Sequence, residues 1–140
     1  MANKKVLLVD DDPDVRLAMH VRLKANGYDT AFAGDALTAV SEALKHQPDV
    51  ILLDLGLPGG DGFGVIETLK RHLSLASIPI VVVSGRDASG NQERAIKAGA
   101  AVYLQKPVAN AELLAIIRQT LRQPEQPGDA VITGNWKLLA

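Results

Sequence analysis

Five short β-rich runs recur along the chain with helical segments between them, and this alternation limits the fold more than any other feature. The runs are Lys5–Val9, Tyr28–Ala33, Val50–Leu53, Ile80–Val83 and Val102–Gln105. Three of them are nearly all Val, Ile and Leu, the composition of strands covered on both faces. In the segments between, Leu37, Val40 and Leu44 fall on one helical face, as do Val65, Ile66, Leu69 and Leu73, and as do Leu113, Ile116, Ile117 and Leu121. Asp12 before Pro13 reads as a helix cap with proline in the first turn. Asn26-Gly27 and Ala98-Gly99 read as helix stops. A β-α unit repeated five times predicts a parallel sheet with helices on both faces and right-handed crossovers. The segment from Ser89 to Ala98 has little beyond Ala95, Ile96 and Ala98 to bury, so it is expected to be a thinly anchored helix, either one that moves at low cost or a short surface helix that stays put.

With 140 residues, 47% of them hydrophobic and 22% charged, the chain fits one globular domain rather than a disordered segment. It has no cysteine, which excludes a disulfide scaffold, a thiolate zinc site and a cysteine nucleophile. A net charge of −1 gives no overall pull toward nucleic acid. The first apolar run, Val6 to Val9, is too short for a signal peptide or a membrane span, so the cytoplasm is the expected location. After Leu121 the texture changes. "RQPEQPGD" reads as a linker, and "AVITGNWKLLA", with the single tryptophan, as either a packed tail or the first strand of a further domain.

In an open parallel sheet, ligands bind beyond the carboxyl ends of the strands. The first run exits into Asp10, Asp11 and Asp12, the third into Asp54, the fourth into Ser84-Gly85 and the fifth into Lys106-Pro107. The second exits into Ala33-Gly34, which offers no reactive side chain. Asp10, Asp11 and Asp54 would crowd negative charge at the mouth of the sheet, and like charges at close range resist joint ionisation. Lys106 offsets part of it. A hard divalent cation would offset more, and Mg²⁺ takes oxygen ligands from one or two carboxylates while keeping open positions. Metal, lysine and hydroxyl together suit a phosphoryl group. Asp54 stands alone on a central strand and is the expected nucleophile, which would form an aspartyl-phosphate. The loop after it carries glycines at 56, 59, 60 and 62, expected to let the backbone approach the cation, with a carbonyl near Gly56 as a further ligand.

These residues resemble the receiver domain of two-component response regulators. The resemblance runs from about Lys4 to Leu121 and rests on "LLVDDD", "PDVILLDLGLPGGDG", "IPIVVVSG" and "AGAAVYLQKP" at their spacing. It implies a flavodoxin-like, doubly wound (βα)5 fold with strand order 2-1-3-4-5, a receiver over residues 1–122, and a linker and tail over 123–140, where "ITGNWKLLA" resembles the first strand of a winged-helix DNA-binding domain and would start a truncated output domain, a stand-alone regulator or a receiver from a hybrid kinase being the alternatives. It implies that Asp10 and Asp11 are the acidic pair for Mg²⁺, with Asp11 the direct ligand, that Asp54 is the phosphoacceptor, and that the Gly56 carbonyl is a metal ligand. Ser84 would be the switch hydroxyl, Lys106 the phosphate-binding lysine, and Tyr103 the aromatic that reorients. Pro107 would follow a cis peptide bond. The implied partners are a sensor histidine kinase or phosphotransfer protein, a DNA-binding output domain, and a second copy of the chain through the fourth helix, fifth strand and fifth helix. Two departures stand out: Gly56 lacks a side chain to control access, and Arg86 puts a cation at the mouth of the site.

Two other functions compete. A haloacid-dehalogenase-like phosphatase would use Asp10 as nucleophile, but Asp14 stands at the last position of its Asp-x-Asp-x-Thr/Val signature, and Pro13 opens a helix too early. A pseudo-receiver would bind partners without taking phosphate, and the complete acceptor set argues against it. Asp12 and Asp61 are expected as helix or turn caps. His20, His46 and His72 are expected at the surface, as neither phosphodonors nor ligands.

Overall fold

The computed structural model describes residues 3–59 and 61–123. The linker and tail reading for 124–140, and Gly60, lie outside the described residues. The elements alternate as expected: β1 (Lys5–Val9), α1 (Pro13–Ala25), β2 (Asp29–Ala33), α2 (Ala36–His46), β3 (Val50–Leu53), α3 (Gly62–Arg71), β4 (Ile80–Ser84), α4 (Ala88–Ala98), β5 (Val102–Gln105) and α5 (Asn110–Thr120). All strand pairs are parallel, and the order is β2-β1-β3-β4-β5. No helix among the described residues is long and apolar enough to cross a membrane.

Strand side chains alternate between two cores. Leu7, Val9, Ile51, Leu53, Ile80 and Val82 face one core, shared with residues of α2, α3 and α4. Val6, Leu8, Val50, Leu52, Val81 and Val83 face the other, shared with Leu23 of α1 and with α5. This double coverage is why the central runs carry no polar alternation.

The caps follow the local chemistry. Asp12 accepts the N–H of Asp14 and Val15 at the start of α1, and Asp61 accepts the N–H of Phe63 at the start of α3. Gly99 ends α4 at φ 124, a backbone position that a side chain would strain.

Several details differ from the sequence reading. In α2 the fully buried residues are Ala39 and Ala43, while Leu37 is 80% exposed. The small side chains, not the large ones, face the core, with Val40 packed against its margin. Leu73 lies past the end of α3 and is 97% exposed. β2 begins at Asp29, which pairs with Lys5 of β1, while Tyr28 donates its hydroxyl to Gln123. α4 starts at Ala88, but Ser89 (ψ 114) and Gly90 (φ 75) are not helical, so its first turn is broken. His72 is exposed as expected, whereas His20 is half-buried against Thr30 and Phe32, and His46 is half-buried and paired with Glu42 at 3.1 Å.

Candidate functional site

Parallel register sets the site. Val9 pairs with Leu53, and the Asp54 N–H donates to the Val9 carbonyl at 2.9 Å, so Asp10 and Asp54 leave adjacent strands at one level. One carboxylate oxygen from each of Asp10, Asp11 and Asp54 lies within 4.8 Å of the others. Such a set of hard oxygen donors, split between two strand exits, fits a divalent cation.

Asp10 is buried, and each of its polar atoms has a partner. Its N–H donates to the Ala33 carbonyl at 3.1 Å. Its Oδ1 accepts the Asp12 N–H at 3.0 Å, and its Oδ2 takes Lys106 Nζ at 3.2 Å. Its carbonyl accepts from Arg16 Nη1 at 2.9 Å. Asp11 is exposed, and its carboxylate has no protein partner among the described residues. The buried acid is therefore the anchored one, and its neighbour is left free.

Asp54 is held at both oxygens. The Gly56 N–H donates to Oδ1 at 3.0 Å, and Lys106 Nζ lies 3.4 Å from Oδ2. Burial works against the charge of Lys106, but the carboxylates of Asp54 and Asp10 outweigh it and hold the ammonium above its ordinary pKa. Lys106 reaches this position because β5 ends beside β4: Ser84 pairs with Gln105, and the Lys106 N–H donates to the Ser84 carbonyl at 2.7 Å. The Lys106–Pro107 peptide is cis.

Ser84 is buried at the end of β4, with its hydroxyl oxygen accepting the Arg86 N–H at 3.1 Å. Tyr103 is wholly buried, and its hydroxyl donates to the Arg86 carbonyl at 2.8 Å. Burial raises the Tyr103 pKa, and the neighbouring Ser84 hydroxyl partly offsets this. Asp10, Asp11, Asp54 and Lys106 thus converge directly, while Tyr103 joins the site through the loop that follows Ser84. Arg86 lies 5.9 Å from the Phe63 ring centroid, and Arg94 stacks on the same ring at 4.0 Å.

One of the loop glycines has a packing role that the sequence reading did not give it. A Cβ at Gly62 would come 2.6 Å from the Leu55 Cα, so glycine is needed there for α3 to start against the end of β3. At Gly56 an added Cβ would meet only Asp54 Oδ1, at an ordinary 3.8 Å. Arg16 escaped the sequence reading, and Gly34 entered it only as an exit without a reactive side chain. Arg16 grips the Asp10 carbonyl, and Gly34, at the strand exit without a reactive group, lies against the Arg16 guanidinium. No local pattern marks either one.

A five-stranded parallel sheet with acids, a hydroxyl and a lysine at neighbouring exits defines a receiver. The chain belongs to this family: the model for the response regulator receiver domain matches residues 6–118. It is similar to the transcriptional regulatory protein KdpE of Mycobacterium tuberculosis, 36% identical over 118 residues, which cover 84% of this chain and 51% of KdpE. It is also similar to the DNA-binding response regulator MtrA of Mycolicibacterium smegmatis, 32% identical over 136 residues, covering 96% of this chain and 58% of MtrA. Among solved structures, the receiver domain of the sensor histidine kinase PA1611 of Pseudomonas aeruginosa, with a magnesium ion in its active-site cleft, superposes with a TM-score of 0.79 at 29% identity, covering 87% of this chain and all of that one. The chain spans little more than half the length of these two curated relatives.

Proposed function

We propose that this receiver is a phosphate-accepting switch in which Asp54 is the acceptor. A carboxylate oxygen of Asp54 attacks the phosphorus of a phosphohistidine presented by a sensor histidine kinase or phosphotransfer protein. The P–O bond forms as the P–N bond breaks, and the departing imidazole keeps the electron pair and takes a proton from water. Lys106, between Asp10 and Asp54, stabilises the charge on the transferring group. Asp10, Asp11 and Asp54, with the Gly56 carbonyl, would hold Mg²⁺, which when bound neutralises and orients the phosphoryl oxygens. The magnesium in the PA1611 receiver supports that choice of ion.

Ser84 then turns its hydroxyl from the Arg86 N–H toward the phosphoryl group. The 84–87 loop follows, carrying with it the carbonyl that Tyr103 holds. The face of α4, β5 and α5 changes, and an output domain or a second copy of the chain reads it. Attack of water on phosphorus later restores the carboxylate and releases phosphate. The domain catalyses its own modification and is a switch rather than a turnover enzyme.

The receiver occupies residues 1–122 in this reading, and 123–140 lead from it to a DNA-binding output domain, in the cytoplasm. The similarity to MtrA supports this, because an alignment covering 96% of the chain must run past the receiver.

The observation that carries the function is the convergence of carboxylate oxygens of Asp10, Asp11 and Asp54 within 4.8 Å of one another, with Lys106 paired to Asp10 and Asp54. Acetyl phosphate with Mg²⁺ should add one phosphoryl group, mapped by mass spectrometry to Asp54, and Asp54→Asn should abolish it. A phosphoryl group on Asp10, or fast multiple turnover of a phosphomonoester, would favour the phosphatase. A chain that stays unmodified would favour the pseudo-receiver.

A further inference from the structure

We infer that Arg16 is a positioning residue for the acidic turn, and that Gly34 is the space it requires. The inference rests on the site reading above. The Asp10 carbonyl belongs to the rigid peptide plane that joins Asp10 to Asp11. Turning that plane turns Asp11, the exposed acid with no protein partner among the described residues. Three of the four bonds to Asp10 hold its N–H or its carboxylate. The bond from Arg16 Nη1 at 2.9 Å is the one that holds the carbonyl, and so the plane. Arg16 lies on α1, six residues further along, and is half-buried. Its guanidinium passes over Gly34, where an added Cβ would come 2.8 Å from Nη1, well inside ordinary contact. The strand exit without a reactive group is thus where the arginine fits.

Two effects of the arginine oppose each other, and their signs separate them. As a cation beside the acidic cluster it repels a divalent ion, so its removal would tighten binding. As a positioning group it aims Asp11, so its removal weakens binding. Outer partners that orient metal ligands commonly change affinity by about tenfold or more.

The test uses the whole 140-residue chain. Calorimetry measures Mg²⁺ affinity, and hydrogen exchange by NMR follows the Asp12 amide in metal-free protein, since that amide donates to Asp10 Oδ1. Arg16→Ala is expected to weaken Mg²⁺ binding by about tenfold and to speed Asp12 exchange. Arg16→Lys, which keeps a donor and the charge, should recover most of both. Gly34→Ala, which pushes the guanidinium aside without removing it, should shift both in the same direction as Arg16→Ala. Affinity that is unchanged or tighter in Arg16→Ala overturns the inference, and so does a loss of affinity without faster Asp12 exchange. A wild-type chain that ignores Mg²⁺ would sink the metal reading instead, and Asp12 exchange would then decide the positioning by itself.

Discussion

The two sides of the strand-exit rim are held very differently. On the β1–β3 side, Val6 to Val9 and Val50 to Leu53 are at most 3% exposed, and Asp10 is bonded through its N–H, its carbonyl and both carboxylate oxygens. On the β4–α4 side, Gly85, Arg86 and Asp87 are exposed, α4 buries only Ala95 fully, and its first turn is broken at Ser89 and Gly90. Its anchors are mostly single side-chain contacts: the Tyr103 hydroxyl on the Arg86 carbonyl, the Ala88 N–H on Gln105 Oε1, Arg86 and Arg94 over Phe63, and Arg94 paired with Asp61 at 3.5 Å. Group transfer needs fixed geometry, and a readout needs an element that shifts with a small change in free energy. In the proposed function the first falls on the core strands and the second on α4, which buries only Ala95 fully.

Truncation on each side tests this contrast most severely. Leu53→Ala, at a fully buried position of β3, should destabilise the chain by about 2–5 kcal/mol. Ile96→Ala in α4, only partly buried, should cost about 1 kcal/mol. Urea unfolding measures both, and equal losses would break the comparison. The next effect down comes from the glycines. Gly62→Ala forces a Cβ onto the Leu55 backbone, which cannot yield as a side-chain end would, and should cost about 1–3 kcal/mol. Gly90→Ala meets no crowding but holds φ 75, so about 1 kcal/mol is expected, with faster amide exchange confined to α4. Exchange that spreads into β3 would show that the two sides open together.

The smallest expected effect is electrostatic and separates surface capping from the site. Hydrogen bonds from the Thr38 N–H and hydroxyl hold the Asp35 carboxyl below its ordinary 3.8. Because the folded value is depressed, the stability this group contributes is present above 3.8 and is lost as pH falls through the folded value. Asn is also a good cap but does not titrate. Asp35→Asn should therefore flatten the acid limb of the stability curve slightly and leave acetyl phosphate labelling of Asp54 unchanged. A change in labelling would mean that the α2 end couples to the site.

Most of the architecture was legible because strand identity is a local property. Runs such as Val50–Leu53 and Ile80–Val83 are apolar without alternation, and each ends in the residue that its position demands. The helix faces were less legible. In α2, leucines and alanines both recur at helical spacing, and weighting by size selects Leu37 and Leu44, whereas the buried pair is Ala39 and Ala43. The alanines let the helix lie closer to the sheet than leucines would. The break in α4 was invisible because Ser89 and Gly90 are tolerated in a first turn as readily as outside one.

By itself the sequence determined which groups stand at which strand ends, since composition and caps act over a few neighbouring residues. It could not determine that Lys106 lies between Asp10 and Asp54, that Arg16 grips the Asp10 carbonyl across Gly34, or that Tyr103 is turned inward to Arg86. Lys106 and Asp10 are 96 residues apart, and distances of that kind exist only once both cores have closed and the strands have taken one register.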